Sequence, residues 1–419
     1  MMLDTDVLVV GGGLAGSTAA LAAAETGAKV RLVSANESTL RQASGLADCL
    51  GYVDDDLVAD PFEHVDELPD DHPYRVVGTD AIRAGFDLFD AVTGDMYGGD
   101  DRNVLVPTTQ GTVKPTARYP RTVEPGIVGD GQETLLVSFT SDIDFDAPLA
   151  AASLDETVPG TVRGVELEFP VDLRDDVELT RIAKLLAEDG GVRGDLARTV
   201  EPHLGDADRV GFAAVLGREP GEPAEVKRSL SKALGVPVFE LPGAPPSLPG
   251  VRLRDRFRAA LDDAGVEVTT GCPMVGFEAA EASTDEGRRI SVVEMDRKGA
   301  TIPHAPEQVV LATGGLVGGG IETDRESVRE PLFDLPVHHP DDRYDWAEAA
   351  AFGDHAFPRF GVRIDEDGRP LDESGSVVYE NVRAAGSVVA GADFAAECSG
   401  SGISLATGWL AGARAGGTL

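Results

Sequence analysis

Lysine is nearly absent from this 419-residue sequence: Lys29, Lys114, Lys184, Lys227, Lys232 and Lys298 are all there are, and the other thirty basic residues are arginines. Against 36 basic residues stand 73 acidic ones, for a formal net charge of -37. Without a basic stripe the chain has no means of displacing counterions from phosphates, which argues against nucleic-acid binding. Dense carboxylates instead keep a protein hydrated where salt screens charge within a few ångströms, and in dilute buffer they repel one another. The composition is that of a protein adapted to a salt-saturated cytoplasm.

Cysteine is equally scarce. Cys49, Cys272 and Cys398 are far apart and form no C-x-x-C pair, so an iron–sulfur cluster held by this chain alone is excluded and no disulfide framework is indicated. All three are expected to be buried small hydrophobes in a reducing compartment. Long apolar runs are also missing. The uncharged stretch Val7 to Ala24 is broken by three glycines and preceded by Asp4 and Asp6, where a signal peptide carries positive charge. It divides better into a strand, a turn and an alanine-rich helix, and no membrane span of the chain's own is expected.

What is present is a βαβ opening. Asp6 to Val10 reads as a buried parallel strand, Gly11 to Gly16 as a tight turn, Leu14 to about Thr26 as a helix stopped by Gly27, and Lys29 to Ser34 as a second strand. Gly11-x-Gly13-x-x-Gly16 has a mechanical sense. Gly11 makes the turn, Gly13 lets a phosphate approach the backbone, Gly16 lets helix and strand pack, and the helix N-terminus at Leu14 and Ala15 offers N–H groups. A second glycine site is "VLATGG", with Thr313, Gly314 and Gly315. A third is "AAGSVVAGADFAAECSGSGISLATG", in which Gly386, Ser387, Gly400, Gly402 and Ile403 lead into a final helix, Ser401 to Ala415. Its N-terminus suits the pyrimidine edge of a flavin, where the reduced form carries negative charge.

Between these sites a second α/β pattern runs from "TLLVSF" through "APLAAASL", "GVELEFPV" and "VELTRIAKLLAEDG" to "RVGFAAVLG". Proline-dense "LPGAPPSLPG", Leu241 to Gly250, reads as a linker. A charged helix, Arg252 to Ala264, then leads into a β-meander across "ISVVEMDRKGATIPH". The expected organisation is a discontinuous cofactor domain of residues 1–50 and 250–419, with an inserted lobe of 51–249. The fold class is α/β, Rossmann-like, with an additional α/β and β-rich lobe.

Taken together, the three glycine sites resemble the FAD/NAD(P)-binding-type fold of succinate dehydrogenase and fumarate reductase flavoproteins. A nearly end-to-end resemblance is to the B subunits of anaerobic glycerol-3-phosphate dehydrogenase. It rests on "GGGLAGSTAAL", "ASGLADCL" with Ser44 and Gly45, "HPY" at His72 to Tyr74, "FDAPLAAASL", "VLATGGLVGGGI", "REPLFDLPV", "RFGVRIDEDGRP" and "NVRAAGSVVAG". The resemblance implies a flavin subunit of a three-subunit enzyme that oxidises sn-glycerol 3-phosphate to dihydroxyacetone phosphate. A catalytic A subunit and an iron–sulfur C subunit would be its partners, quinone would be reached only indirectly, and the complex would sit in the cytoplasm, peripheral at the inner face of the membrane. Two other classes are open: a self-sufficient flavin oxidoreductase acting on another small acid, and a scaffold that has lost its flavin.

One departure bears on the cofactor. The acids that grip the sugar parts of FAD in such folds are replaced by Ser34, at the end of the second strand, and by Ser387. A hydrogen bond to a charged acceptor contributes about 1.5 to 3 kcal/mol, so FAD would bind roughly ten- to a hundredfold more weakly. FMN has no adenosine to lose and is the expected cofactor, with FAD as the alternative through Glu37 or Asp393. The active-site arginine of fumarate reductases has no counterpart in "CSGSGIS". Arg329, whose planar guanidinium suits a phosphate or carboxylate, and His72, by type a proton carrier, are the catalytic candidates. No metal ligand set is expected.

Overall fold

The computed structural model describes residues 3–129, 131–141, 144–173, 179–244, 247–280, 287–351 and 353–417. The chain opens with β1 (Leu3–Val10), α1 (Leu14–Glu25) and β2 (Val30–Val33). Helices α2 (Pro73–Val77) and α3 (Thr79–Thr93) follow, then the hairpin of β3 (Tyr97–Pro107) and β4 (Val113–Pro120). An alternating stretch comes next, with β5 (Thr134–Phe139), α4 (Ala147–Asp155), β6 (Val162–Leu167), α5 (Leu179–Glu188) and α6 (Gly190–Val200). It ends in β7 (Arg209–Ala213), α7 (Glu222–Leu234) and β8 (Val238–Leu241). The last third holds α8 (Leu248–Asp263), β9 (Glu267–Thr269), β10 (Met274–Ala280), β11 (Arg289–Arg297), β12 (Ala300–Leu311), β13 (Val382–Ala384) and α9 (Gly400–Gly417).

Two compact units result. One comprises residues 1–39, 52–92 and 256–419, the other 40–51 and 93–255, so one boundary falls inside α8. In the first unit β9, β2, β1 and β12 lie side by side as parallel strands. At the end of β12, Val309 to Leu311 pair in parallel with β13, while its first half pairs antiparallel with β11, which in turn pairs with β10. Strands buried on both faces read as unbroken apolar runs, and Leu8, Val10, Val33, Val309, Leu311 and Val382 form the centre of this core. Each such side chain contributes about 1.5–3 kcal/mol by leaving water.

Helix α1 is alanine-rich because it is covered on nearly all sides. Its partner α9 approaches through a stripe of glycines. A Cβ on Gly408 would lie 2.5 Å from the Ala15 carbonyl oxygen, and one on Gly412 would lie 2.2 Å from that of Ala19. Backbone-to-backbone contact of this kind fixes the final helix against the first.

The second unit holds a four-stranded parallel sheet in the order β8, β7, β5, β6, with its own core around Leu136, Val137, Phe212 and Phe239. A buried ion pair in it is fully satisfied. Arg252 reaches both oxygens of Glu240 at 2.7 and 2.9 Å, and Glu240 also accepts from the Thr122 hydroxyl at 2.6 Å and the Leu216 N–H at 2.7 Å.

Several expectations are adjusted. The proline-dense segment is not loop throughout: Leu241 ends β8, and Leu248 to Gly250 form the first turn of α8, where Pro249 is tolerated because helix-start N–H groups need no partner. Pro245 and Pro246 lie outside the described residues, as do Val177 and Glu178 of the expected helix that begins α5. Of "VRAAGSVVAG" only Val382–Ala384 is a strand, since Gly386 at φ +76° turns the chain away. Cys49 and Cys272 are buried, but Cys398 is partly exposed, at φ +48°.

Candidate functional site

Strand register places the glycine sites together. Val10 pairs with Val33 on one side and with Leu311 on the other, and Leu311 pairs with Ala384. The next residues, Ser34, Gly11, Ala312 and Ala385, therefore form one rim along the carboxyl ends of four adjacent parallel strands. Ligands of open α/β sheets bind outside that edge.

Within the rim the three glycines of the first loop divide by role. A Cβ on Gly11 would lie 2.0 Å from the Ala312 carbonyl oxygen, at φ +118°, and a Cβ on Gly16 would lie 1.9 Å from the Gly11 carbonyl oxygen. Both are required by the fold. Gly13 is not: its φ of -78° suits any residue, and a Cβ there would meet only the Thr39 hydroxyl, at 3.3 Å. The missing side chain at Gly13 leaves room in front of the first turn of α1, whose opening N–H groups, from Leu14 onward, have no intrahelical acceptor. In so acidic a chain that turn carries no acidic residue.

Ser34 closes β2. Its N–H donates to the Thr269 carbonyl and its carbonyl accepts from Cys272, both at 3.0 Å, while its hydroxyl donates to the Asn36 carbonyl. It is buried beneath Gly12, and Glu37 beyond it is exposed. Ser387 is similarly engaged, its Oγ accepting from the Gly315 N–H at 2.9 Å. That bond, with Gly314 at φ +88°, folds the loop after β12 back against the turn after β13. The Thr313 hydroxyl in this loop is buried and lacks a hydrogen-bond partner within the chain. Gly386 donates to the Thr407 hydroxyl of α9 at 2.8 Å, and its own Cβ position lies 2.7 Å from the Ala15 Cβ. Gly11, Ala15, Gly16, Thr313 to Gly315, Gly386 and Ser387 are thus one constellation.

Gly400, Gly402 and Ile403 begin α9, whose first turn is also free of acids. Just before it lies a partly buried acid that the sequence reading missed. Glu397 accepts at Oε2 from His72 Nε2, 3.1 Å away, and from the Ser399 hydroxyl at 2.7 Å, and at Oε1 from the Asp393 N–H at 2.9 Å. The other ring nitrogen of His72, Nδ1, accepts the Tyr74 N–H at 3.1 Å and so caps α2. A proton carrier needs a nitrogen free to face a substrate. Both nitrogens of His72, 1 % exposed, are engaged within the chain. Thr39 and Thr407 were missed as well. A lone acid in the small-residue run "FAAECSGSG" was the available signal for Glu397.

Arg329 is paired with Glu322 at 2.8 Å across a two-residue ladder, and its side chain is 65 % exposed. Ser44 and Gly45 belong to the second unit. There the Ser44 hydroxyl accepts from the Leu46 N–H, and Gly45, at φ +83°, gives its carbonyl to the Tyr97 hydroxyl at 2.7 Å. Among the described residues no cluster of His, Cys, Asp and Glu is arranged to hold a metal ion, and no helix is long and apolar enough to cross a membrane.

Residues 6–403 match the FAD binding domain family. A relative from Halobacterium salinarum, named as the probable B subunit of anaerobic glycerol-3-phosphate dehydrogenase, is 50 % identical over 428 aligned positions, covering 99 % of this chain and 98 % of the relative. The B subunits of anaerobic glycerol-3-phosphate dehydrogenase from Pectobacterium atrosepticum and Yersinia pseudotuberculosis are 29 % and 28 % identical. Each covers 96 % of this chain, and 96 % and 95 % of the respective relative.

Proposed function

The chain belongs to the FAD binding domain family and, within it, to the B subunits of anaerobic glycerol-3-phosphate dehydrogenase, and from that premise we propose that it is the flavin subunit of a multi-subunit dehydrogenase converting sn-glycerol 3-phosphate to dihydroxyacetone phosphate. The observation that carries the reading is the division among the loop glycines. Gly11 and Gly16 answer to the fold, whereas Gly13 is not required by close packing and leaves an opening at the N-terminus of α1 that suits a phosphate.

A flavin bound along this rim would supply two-electron acceptance. Gly13 and the N–H groups opening α1 would hold its phosphate, Thr313 to Gly315 would line the middle, and Gly400 to Ile403 would present the N-terminus of α9 to the pyrimidine edge. The unpartnered Thr313 hydroxyl fits a polar ligand there, since a buried hydroxyl left unpaired is costly.

The cofactor we propose is FMN. Both positions where an acid would grip FAD's sugars are serines, and both hydroxyls are engaged with the chain itself, Ser34 on Asn36 and Ser387 on Gly315. The family's description favours FAD as a second reading. With only three scattered cysteines, electron transfer through iron and sulfur falls to another chain, an iron–sulfur C subunit; the resemblance to B subunits further implies an A subunit that carries the dehydrogenase site proper. Arg329 is the proposed anchor for a substrate or partner anion, which would replace Glu322 on its guanidinium. The complex would lie at the inner face of the cytoplasmic membrane, held there by the other subunits.

The test is anaerobic mixing in molar KCl. Glycerol 3-phosphate should bleach the bound flavin only when the A subunit is present. Bleaching of the isolated chain would instead favour a self-sufficient oxidoreductase, and a colourless purified chain would favour a scaffold.

A further inference from the structure

We propose that Glu397 is a positioning residue that fixes the N-terminus of α9 and sets the electrostatic field acting on the flavin's pyrimidine edge. This rests on the flavin reading above.

Three donors converge on the two oxygens of Glu397, those of His72, Ser399 and the Asp393 N–H. Because His72 Nδ1 accepts the Tyr74 N–H, the ring proton is on Nε2 and is donated to the carboxylate. The main chain is tied as tightly. The Glu397 carbonyl accepts from the Tyr52 N–H at 3.0 Å, and the Ser399 carbonyl accepts from the Ile403 N–H at 2.9 Å in the first turn of α9. One partly buried carboxylate thus joins His72 at the start of α2, the loop after β13 and Ser399, whose carbonyl holds the first turn of α9.

Its charge has a second consequence. The N-terminus of α9 is positive by its dipole and carries no acid in its first turn, which favours an anionic reduced flavin. Glu397, three residues upstream, accepts from the His72 ring, the Ser399 hydroxyl and the Asp393 N–H, and its carboxylate opposes that field. It restrains how strongly the helix stabilises the reduced state.

The experiment measures the flavin midpoint potential of the wild-type chain, Glu397→Gln and Ser399→Ala, each purified with flavin in molar KCl and titrated photometrically against reference dyes. Removing the charge in Glu397→Gln should favour the reduced form by about tenfold, a rise of about 30 mV for a two-electron couple. Ser399→Ala keeps the charge but removes a donor that offsets it, so its potential should fall. The opposite signs separate a field effect from simple loosening of the helix, and Ser399→Ala alone carries the test if Glu397→Gln does not fold. Unchanged potentials in yellow variants overturn the proposal and leave the flavin reading intact; a colourless wild-type chain overturns both.

Discussion

Replacing Gly13 with glutamate should abolish flavin retention while leaving the chain folded. The backbone at Gly13 is ordinary, and a Cβ there meets one hydroxyl at 3.3 Å, so the cost to the apoprotein is small. A carboxylate there would face the phosphate at about 4 Å, where like charges at an effective dielectric near 20 repel by about 4 kcal/mol. That corresponds to roughly a thousandfold loss of affinity, before the lost space is counted. The contrast is Gly16→Ala, whose single methyl would sit 1.9 Å from the Gly11 carbonyl oxygen and can be accommodated only by moving the backbone. That variant should lose stability itself, by about 3 kcal/mol or more. The assay is flavin absorbance per chain after gel filtration in molar KCl, with thermal melts of both apoproteins. A Gly13→Glu protein that stays yellow, or one that unfolds as readily as Gly16→Ala, contradicts the assignment of Gly13 to the ligand.

Three further outcomes are expected. With a net charge of -37, lowering KCl should unfold the chain reversibly as screening weakens, and circular dichroism unchanged in dilute buffer would rule this out. Glu240→Gln should cost about 3–5 kcal/mol by leaving Arg252 buried without its counter-charge, visible as a large drop in Tm. Burial alone would raise the Glu240 carboxyl, but Arg252, Thr122 and the Leu216 N–H hold it below the ordinary value of 4.5. Its stabilisation is therefore complete above that pH and lost as pH falls through the depressed value, so Glu240→Gln should narrow its deficit in acid melts. Arg329→Ala should leave Tm nearly unchanged, since its pair with Glu322 is exposed, yet weaken binding of the A subunit to this chain by about tenfold or more; unaltered binding removes Arg329 as the anchor for a partner anion.

Much of this architecture was legible in the residues. The strand "TLLVSF" is observed over the same six residues, and α1 and α9 differ from expectation by one or two residues at their ends, whereas the last strand of the expected β-meander runs on past His304 to Leu311. Such elements announce themselves by apolar runs and glycine stops. Helices α6 and α7 and strand β8 were passed over because α6 begins with two glycines and α7 has a proline at its second position, both of which read locally as loop. At the site, the glycine pattern located the loops, but only strand register reveals that Ser34, Gly11, Ala312 and Ala385 share one rim. Side-chain networks were the least legible. That His72 would lose both nitrogens to Tyr74 and to Glu397, 325 residues away, follows from packing that no local spacing encodes.

The measurement that tests the central claim most directly is the mass of the flavin released by denaturing the chain purified in molar KCl. One equivalent of FMN per chain is predicted, because Ser34 and Ser387 stand where acids would hold FAD. FAD would contradict that reading of the two serines, and a chain that releases no flavin would contradict its place as a flavin subunit.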